Sequence, residues 1–132
     1  MPAPPMHVQL KLENYVKKVN EFVEHLSEVF HLFGLIQAKS MFGGYGIYHQ
    51  DLMFGLVADN TLYLKTDAES APYFSAVGSL PFEYTKNGVT MKMSYFSAPI
   101  EVFDEPEMAR LWACRAYEAA LRSKNKTAKR SK

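Results

Sequence analysis

At 132 residues and 15.0 kDa the chain has the size of one domain, and 48% apolar against 22% charged residues excludes a disordered protein. A single cysteine, Cys114, excludes a disulfide framework and a cysteine-based zinc cluster within one chain, and no run approaches the ~20 apolar residues of a membrane span. The net charge of +1 hides an asymmetry: residues 122–132 hold six of the fifteen basic residues and no acid, leaving nine bases against fourteen acids, or −5, in the rest.

Residues 1–10 are proline-rich and aperiodic, a flexible lead-in without the basic start of a signal peptide, which points to a cytoplasmic protein. From Leu12 the apolar positions Leu12, Val16, Val19, Val23, Leu26, Phe30 and Phe33 follow a 4-3 spacing. That spacing predicts a helix over about 13–33, widened by Phe22 and Val29 and closed by Gly34. Ser40–Tyr48 groups aromatic and branched residues around glycines, as in two strands about a tight bend, and Leu52–Val57 reads as a central strand. Asp59-Asn60 is a hairpin signal, and Thr61–Lys65 alternates with Leu62 and Leu64 on one face. Asp67 is placed to cap a short helix over 68–77.

A second hairpin joins Phe82–Tyr84 to Val89–Phe96 through Asn87-Gly88. On its second strand Met91, Met93 and Tyr95 share a face, expected to point inward. The last helix is expected to start at Asp104 as N-cap, with Glu107 completing a capping box, and to end near Arg122. The order α-β-β-β-α-β-β-α implies an α+β domain over residues 11–122, with a mostly antiparallel sheet of about five strands and the long helices on one face. Residues 123–132 are expected to form a basic disordered tail.

Catalytic signals are weak. The histidines His7, His25, His31 and His49 include no i, i+4 pair, so no metal site and no cofactor is expected. Cys114 reads as a buried small hydrophobe, and Phe42–Gly46 as a strand bend rather than a phosphate cradle, since no helix and no Gly-Lys-Ser/Thr follows. An enzyme would need a site assembled from distant residues such as His49, Tyr48 and Asp51. The unusual feature is 14% aromatic residues. Tyr45, Tyr48, Tyr63, Tyr95 and Phe96 on predicted strands are the candidate contact residues, with protein contact favoured over base stacking because the body is acidic. Arg122, Lys124, Lys126, Lys129, Arg130 and Lys132 form either a candidate arm for DNA or RNA phosphate or a solvated extension that keeps the protein soluble. The heptad spacing and aromatic strands also admit a homodimer.

The blocks Met41–Tyr48, Met53–Asp59 and Leu62–Lys65 resemble the N-terminal domain of the TfoX/Sxy family, as do Pro81–Tyr84, Met93–Tyr95 and Leu111–Ala113. The likeness spans about residues 19–122. It implies a two-layer α+β fold similar to secretion chaperones. It also implies a bacterial cytoplasmic regulator of competence (DNA transformation) genes, without catalytic residues or cofactor. The resemblance names as partners the transcription machinery or the cyclic-AMP receptor protein. Full-length family regulators add a helical C-terminal domain, so this sequence is expected to be a stand-alone copy.

Overall fold

The computed structural model describes residues 21–41 and 43–130, and side chains as far as Lys126. Helix α1 is described over 21–29 and is followed by a turn through Phe33. Gly34 closes that turn, donating its N–H to the Phe30 carbonyl at 3.1 Å with φ +149°, a backbone region that favours glycine. The expected earlier turns, with Leu12, Val16 and Val19, lie outside the described residues, as does the lead-in. The rest of the stripe packs inward: Leu26 and Phe30 are fully buried, each stabilising the fold by about 2–3 kcal/mol over exposure.

Four strands form a meander, β1 (Gln37–Met41), β2 (Gly44–His49), β3 (Leu52–Ala58) and β4 (Thr61–Lys65). Helix α2 (Ala71–Ala76) leads to the hairpin of β5 (Pro81–Lys86) and β6 (Val89–Ser97), and α3 (Glu101–Asp104) and α4 (Pro106–Arg130) close the chain. The sheet order is β1-β2-β3-β4-β6-β5 and every neighbouring pair is antiparallel, so the sheet has six strands where about five were expected. Three hairpin loops place both central residues at positive φ: Gln50-Asp51 (48° and 64°), Asp59-Asn60 (49° and 58°) and Asn87-Gly88 (54° and 77°). Such turns match the right-handed twist of the strands they join.

A β-bulge sets which side chains face the core. Ile47 pairs with Gly55 but Tyr48 pairs with Met53, so Phe54 is an extra residue in β3. Its insertion puts Leu52, Phe54 and Val57 toward the helices together with Ile47, Leu62 and Leu64, and leaves Met53 and Leu56 on the opposite face. Phe54 is fully buried, and its ring lies 5.9 Å from that of Phe30 and 5.2 Å from that of Phe33. On α4 the buried positions Ala109, Ala113 and Ala116 are small, which lets the helix lie close over β3 and β4.

The start of the last helix differs from expectation. Asp104 ends α3 instead of capping α4, because Glu101–Asp104 already forms a helical turn packed beside α4. Glu105, extended at φ −132°, ψ 112°, takes the N-cap place, its carbonyl accepting from the Ala109 N–H at 3.0 Å. Glu107 pairs with Arg110 at 3.1 Å. The Trp112 Nε1–H donates to Glu101 Oε1 at 2.7 Å and locks α3 onto α4. Helix α4 also runs past Arg122, where it was expected to end, to Arg130, so residues 123–130 of the expected disordered tail are helical.

Candidate functional site: the open face of the sheet

All helices contribute to the core on one face of the sheet, and the register of the strands defines the other face. Gln37, Lys39 and Met41 of β1 pair with Tyr48, Gly46 and Gly44 of β2. Met53 and Leu56 of β3 join them, followed by Tyr63 and Lys65 of β4, which pair with Ser97 and Tyr95 of β6. A Cβ built on Gly46 would lie 2.9 Å from Met41 Sδ, 2.9 Å from Tyr48 Cε1 and 3.2 Å from Met53 Sδ, so these three side chains close over the bare backbone. Phe82 of β5 stands 4.8 Å from the Tyr63 ring, and beyond it Tyr84 and Met91 pair on the projecting hairpin, both exposed. No helix covers these residues among those described.

The charge on this face has one sign. Lys39, Lys65 and Lys86 occupy its strand positions, and no carboxylate does among the described residues. Lys39 Nζ lies over the Tyr48 ring at 4.5 Å and Lys65 Nζ over the Tyr95 ring at 5.2 Å. Lys65 Nζ also donates to Ser94 Oγ at 2.5 Å. Burial lowers the Lys65 pKa, opposed by the charge of Asp67. Burial, with Tyr48 adding to it, pushes the Tyr95 phenol up to about 12, so this hydroxyl remains a neutral donor at physiological pH.

Of the five contact residues expected from the sequence, Tyr48, Tyr63 and Tyr95 lie on this face. Tyr45 and Phe96 do not: both pack against the core, Phe96 with its ring 5.9 Å from Phe74. Tyr45 lies three residues before Tyr48, and Phe96 one after Tyr95, odd separations that put them on the opposite side of a strand. The expected inward face of β6 is corrected for the same reason, since Tyr95 shares the open face and Met91 and Met93 are exposed. The sequence reading missed Lys39, Met41, Met53, Lys65 and Phe82: period-two counting from Tyr63 reaches Lys65, whereas the others join the face only through strand pairing and ring contact that the sequence does not show.

The other candidates are not brought together. Tyr48 and His49 face opposite sides of the sheet, and His49 belongs to the core side, its ring 4.7 Å from Phe33 and 5.0 Å from Tyr117. Its Nδ1–H donates to the Leu35 carbonyl at 2.7 Å, which fixes the tautomer, and Asp51 sits in the turn. His25 is 3.3 Å from Glu28, and His31 Nδ1–H donates to the Glu28 carbonyl at 2.8 Å. The described residues hold no cluster of His, Cys, Asp and Glu suited to a metal, and no helix long and apolar enough to cross a membrane. Cys114 is exposed on α4 rather than buried; partial desolvation, with Glu118 adding to it, raises its thiol pKa against Arg110.

The basic arm is divided. Arg122 is engaged, donating through Nε to Asp67 Oδ2 at 2.6 Å and through Nη2 to Asp67 Oδ1 at 3.1 Å, with Glu69 Oε2 at 3.2 Å. Lys124 and Lys126 are exposed on α4, Lys129 and Arg130 belong to its last turn, and Lys132 lies outside the described residues.

Comparison with known proteins agrees with the blocks noted in the sequence. The chain is 33% identical over 99 residues to the DNA transformation protein TfoX1 of Aliivibrio fischeri, a match covering 75% of this chain and 40% of that protein. It is 26% identical over 110 residues to Protein Sxy of Escherichia coli K12, covering 83% of this chain and 50% of that protein. The chain thus spans half or less of the length of these relatives. The model of the TfoX N-terminal domain matches residues 28–120. That match takes in strands β1 to β6, helices α2 and α3 and the first part of α4, and the chain belongs to the TfoX N-terminal domain family.

Proposed function

We propose that this domain is a non-enzymatic regulatory module that acts in the control of DNA-transformation genes by holding a protein partner on the open face of its sheet. The uncovered aromatic face carries this reading. A sheet buried on one side normally presents polar residues on the other, whereas here tyrosine, phenylalanine, methionine and leucine line it, residue types that serve protein contacts well. The names of the two relatives supply the process, and the family resemblance supplies the class of partner, a component of the cytoplasmic transcription machinery or the cyclic-AMP receptor protein. The separation of His49 from Tyr48 across the sheet favours binding over catalysis.

The test is transcript profiling in the native host. Deleting the gene is expected to lower transformation-gene transcripts, and wild type is expected to restore them where a Tyr63→Ser variant of unchanged stability does not. An unchanged transcriptome on deletion overturns the proposal.

A further inference from the structure

We propose that the open face recognises an acidic peptide segment carrying aliphatic or methionine side chains. Lys39 and Lys65 take its carboxylates, and the rings of Tyr48, Tyr63, Phe82 and Tyr95 take its apolar groups. The inference rests on the reading of this domain as a protein-binding module and names the chemistry of its partner.

Charge selects the occupant. The strand positions of this face carry three lysines and no acid among the described residues, on a chain whose first 121 residues hold nine bases against fourteen acids. A second copy docked face to face would set lysine against lysine, a like-charge arrangement that works against association. Single-stranded nucleic acid binds chiefly through its phosphates, and the excess of acids in the first 121 residues repels them. Three lysines would also release few counterions, a salt slope of only about −2 at ~0.7 per phosphate, against the field of an acidic body.

An acidic peptide uses what is present. The Lys39 and Lys65 ammonium groups lie over rings, at 4.5 Å and 5.2 Å, and Lys65 also donates to Ser94 Oγ. A peptide carboxylate draws the ammonium off its ring and exposes the ring face to the apolar side chain that follows. The neutral Tyr95 hydroxyl donates a further hydrogen bond. Met41 and Met53, closing over Gly46, reshape to fit the aliphatic groups because the thioether chain has several soft torsions.

The experiment uses the full chain and a fluorescein-labelled amphipathic peptide with leucine at i, i+3, i+4 and i+7 and glutamate elsewhere, followed by anisotropy at ~50 and ~300 mM salt. Two further probes are the same peptide with lysine for glutamate and a single-stranded oligothymidylate. Binding of the glutamate peptide about tenfold or more above both other probes, weakened by salt, is expected. The double variant Lys39→Glu/Lys65→Glu should lose about tenfold for the glutamate peptide, while Lys92→Glu on the other side of the hairpin should not. Thermal melts confirm that each variant folds, and Lys39→Gln/Lys65→Gln serves should the glutamates unfold it. Equal binding of both peptides, tighter binding of the oligothymidylate, or a dimer in sedimentation that the lysine variants leave intact would overturn the inference. A peptide result of this kind alongside lost transcripts in the deletion strain sinks the partner chemistry and leaves the regulatory reading standing.

Discussion

Arg122 and Asp67, 55 residues apart in sequence, are joined by a two-point grip that fastens the turn before α2 to the far half of α4. The Asp67 side chain is only 14% exposed and that of Arg122 32%. Asp67 also braces the turn ahead of the Ser70 N-cap of α2: its Oδ1 accepts from the Ser70 N–H at 2.9 Å while its own N–H donates to Ser70 Oγ at 3.0 Å. The Arg122 hydrogen bond, with the Ser70 bonds adding to it, holds the Asp67 carboxyl well below the usual carboxylate range against the opposing effect of burial. The stabilisation is therefore present above the unfolded-state pKa of about 3.9 and is lost as pH falls below it. Asp67→Asn should cost about 1–2 kcal/mol at neutral pH by urea denaturation, after allowing for the partly exposed Arg122, and the gap from wild type should shrink between about pH 5 and pH 2.

Tyr95 gives the opposite dependence. Its phenol is raised to about 12, chiefly by burial, so the folded state resists ionisation that the unfolded chain undergoes near pH 10. Stability is full below pH 10 and declines as pH rises toward 12. Tyr95→Phe should flatten that alkaline decline, measured by urea midpoints at about pH 9 and pH 11.

Much of this arrangement is legible in the sequence because it is local. Asp59-Asn60 and Asn87-Gly88 announce their hairpins, and the stripe of Val23, Leu26 and Phe30 announces the buried side of α1. The bulge at Phe54 is not legible: Leu52–Val57 is apolar or glycine throughout, so no alternation reports the shift of face. Asp104 misleads because its spacing to Glu107 is that of a capping box, whereas the Trp112–Glu101 bond stabilises a separate helical turn ahead of it. The Asp67–Arg122 pair is a long-range contact that local pattern does not encode, and it removes Arg122 from the candidate phosphate arm.

Gly44 has a close-packing reason to be glycine. A Cβ there would fall on the Val57 carbonyl oxygen, well inside contact distance, and that obstacle is backbone that cannot swing aside. Gly44→Ala should therefore cost at least about 2 kcal/mol in a thermal or urea melt. At Gly43 a Cβ meets nothing within 4 Å, so Gly43→Ala pays only for its positive φ of 79° and should cost about 1 kcal/mol.

Cys114 should be reachable but sluggish. It is exposed on α4, while desolvation first and Glu118 second raise its thiol pKa. Ellman's reagent is expected to modify the native protein completely, more slowly than a free cysteine at pH 7, with the rate climbing as pH passes about 8.5. Glu118→Gln should bring the rate profile toward that of the free amino acid.

The last turns of α4 separate a protein contact on the sheet from a nucleic-acid contact at the helix end. Among the described side chains Ala116, Ala119 and Ala120 are the last buried positions of the helix, and Lys124 and Lys126 beyond them are exposed. A chain ending after Ser123 keeps the core and the Arg122–Asp67 grip, so its stability should stay within about 0.5 kcal/mol of the full chain. It also keeps the lysines of the open face, so its affinity for the glutamate peptide should be unchanged. Residual affinity for oligothymidylate should fall, because the removed lysines and Arg130 are the positive charge nearest the chain end. Loss of peptide binding in that shortened chain would move the protein-contact site from the sheet to the helix end.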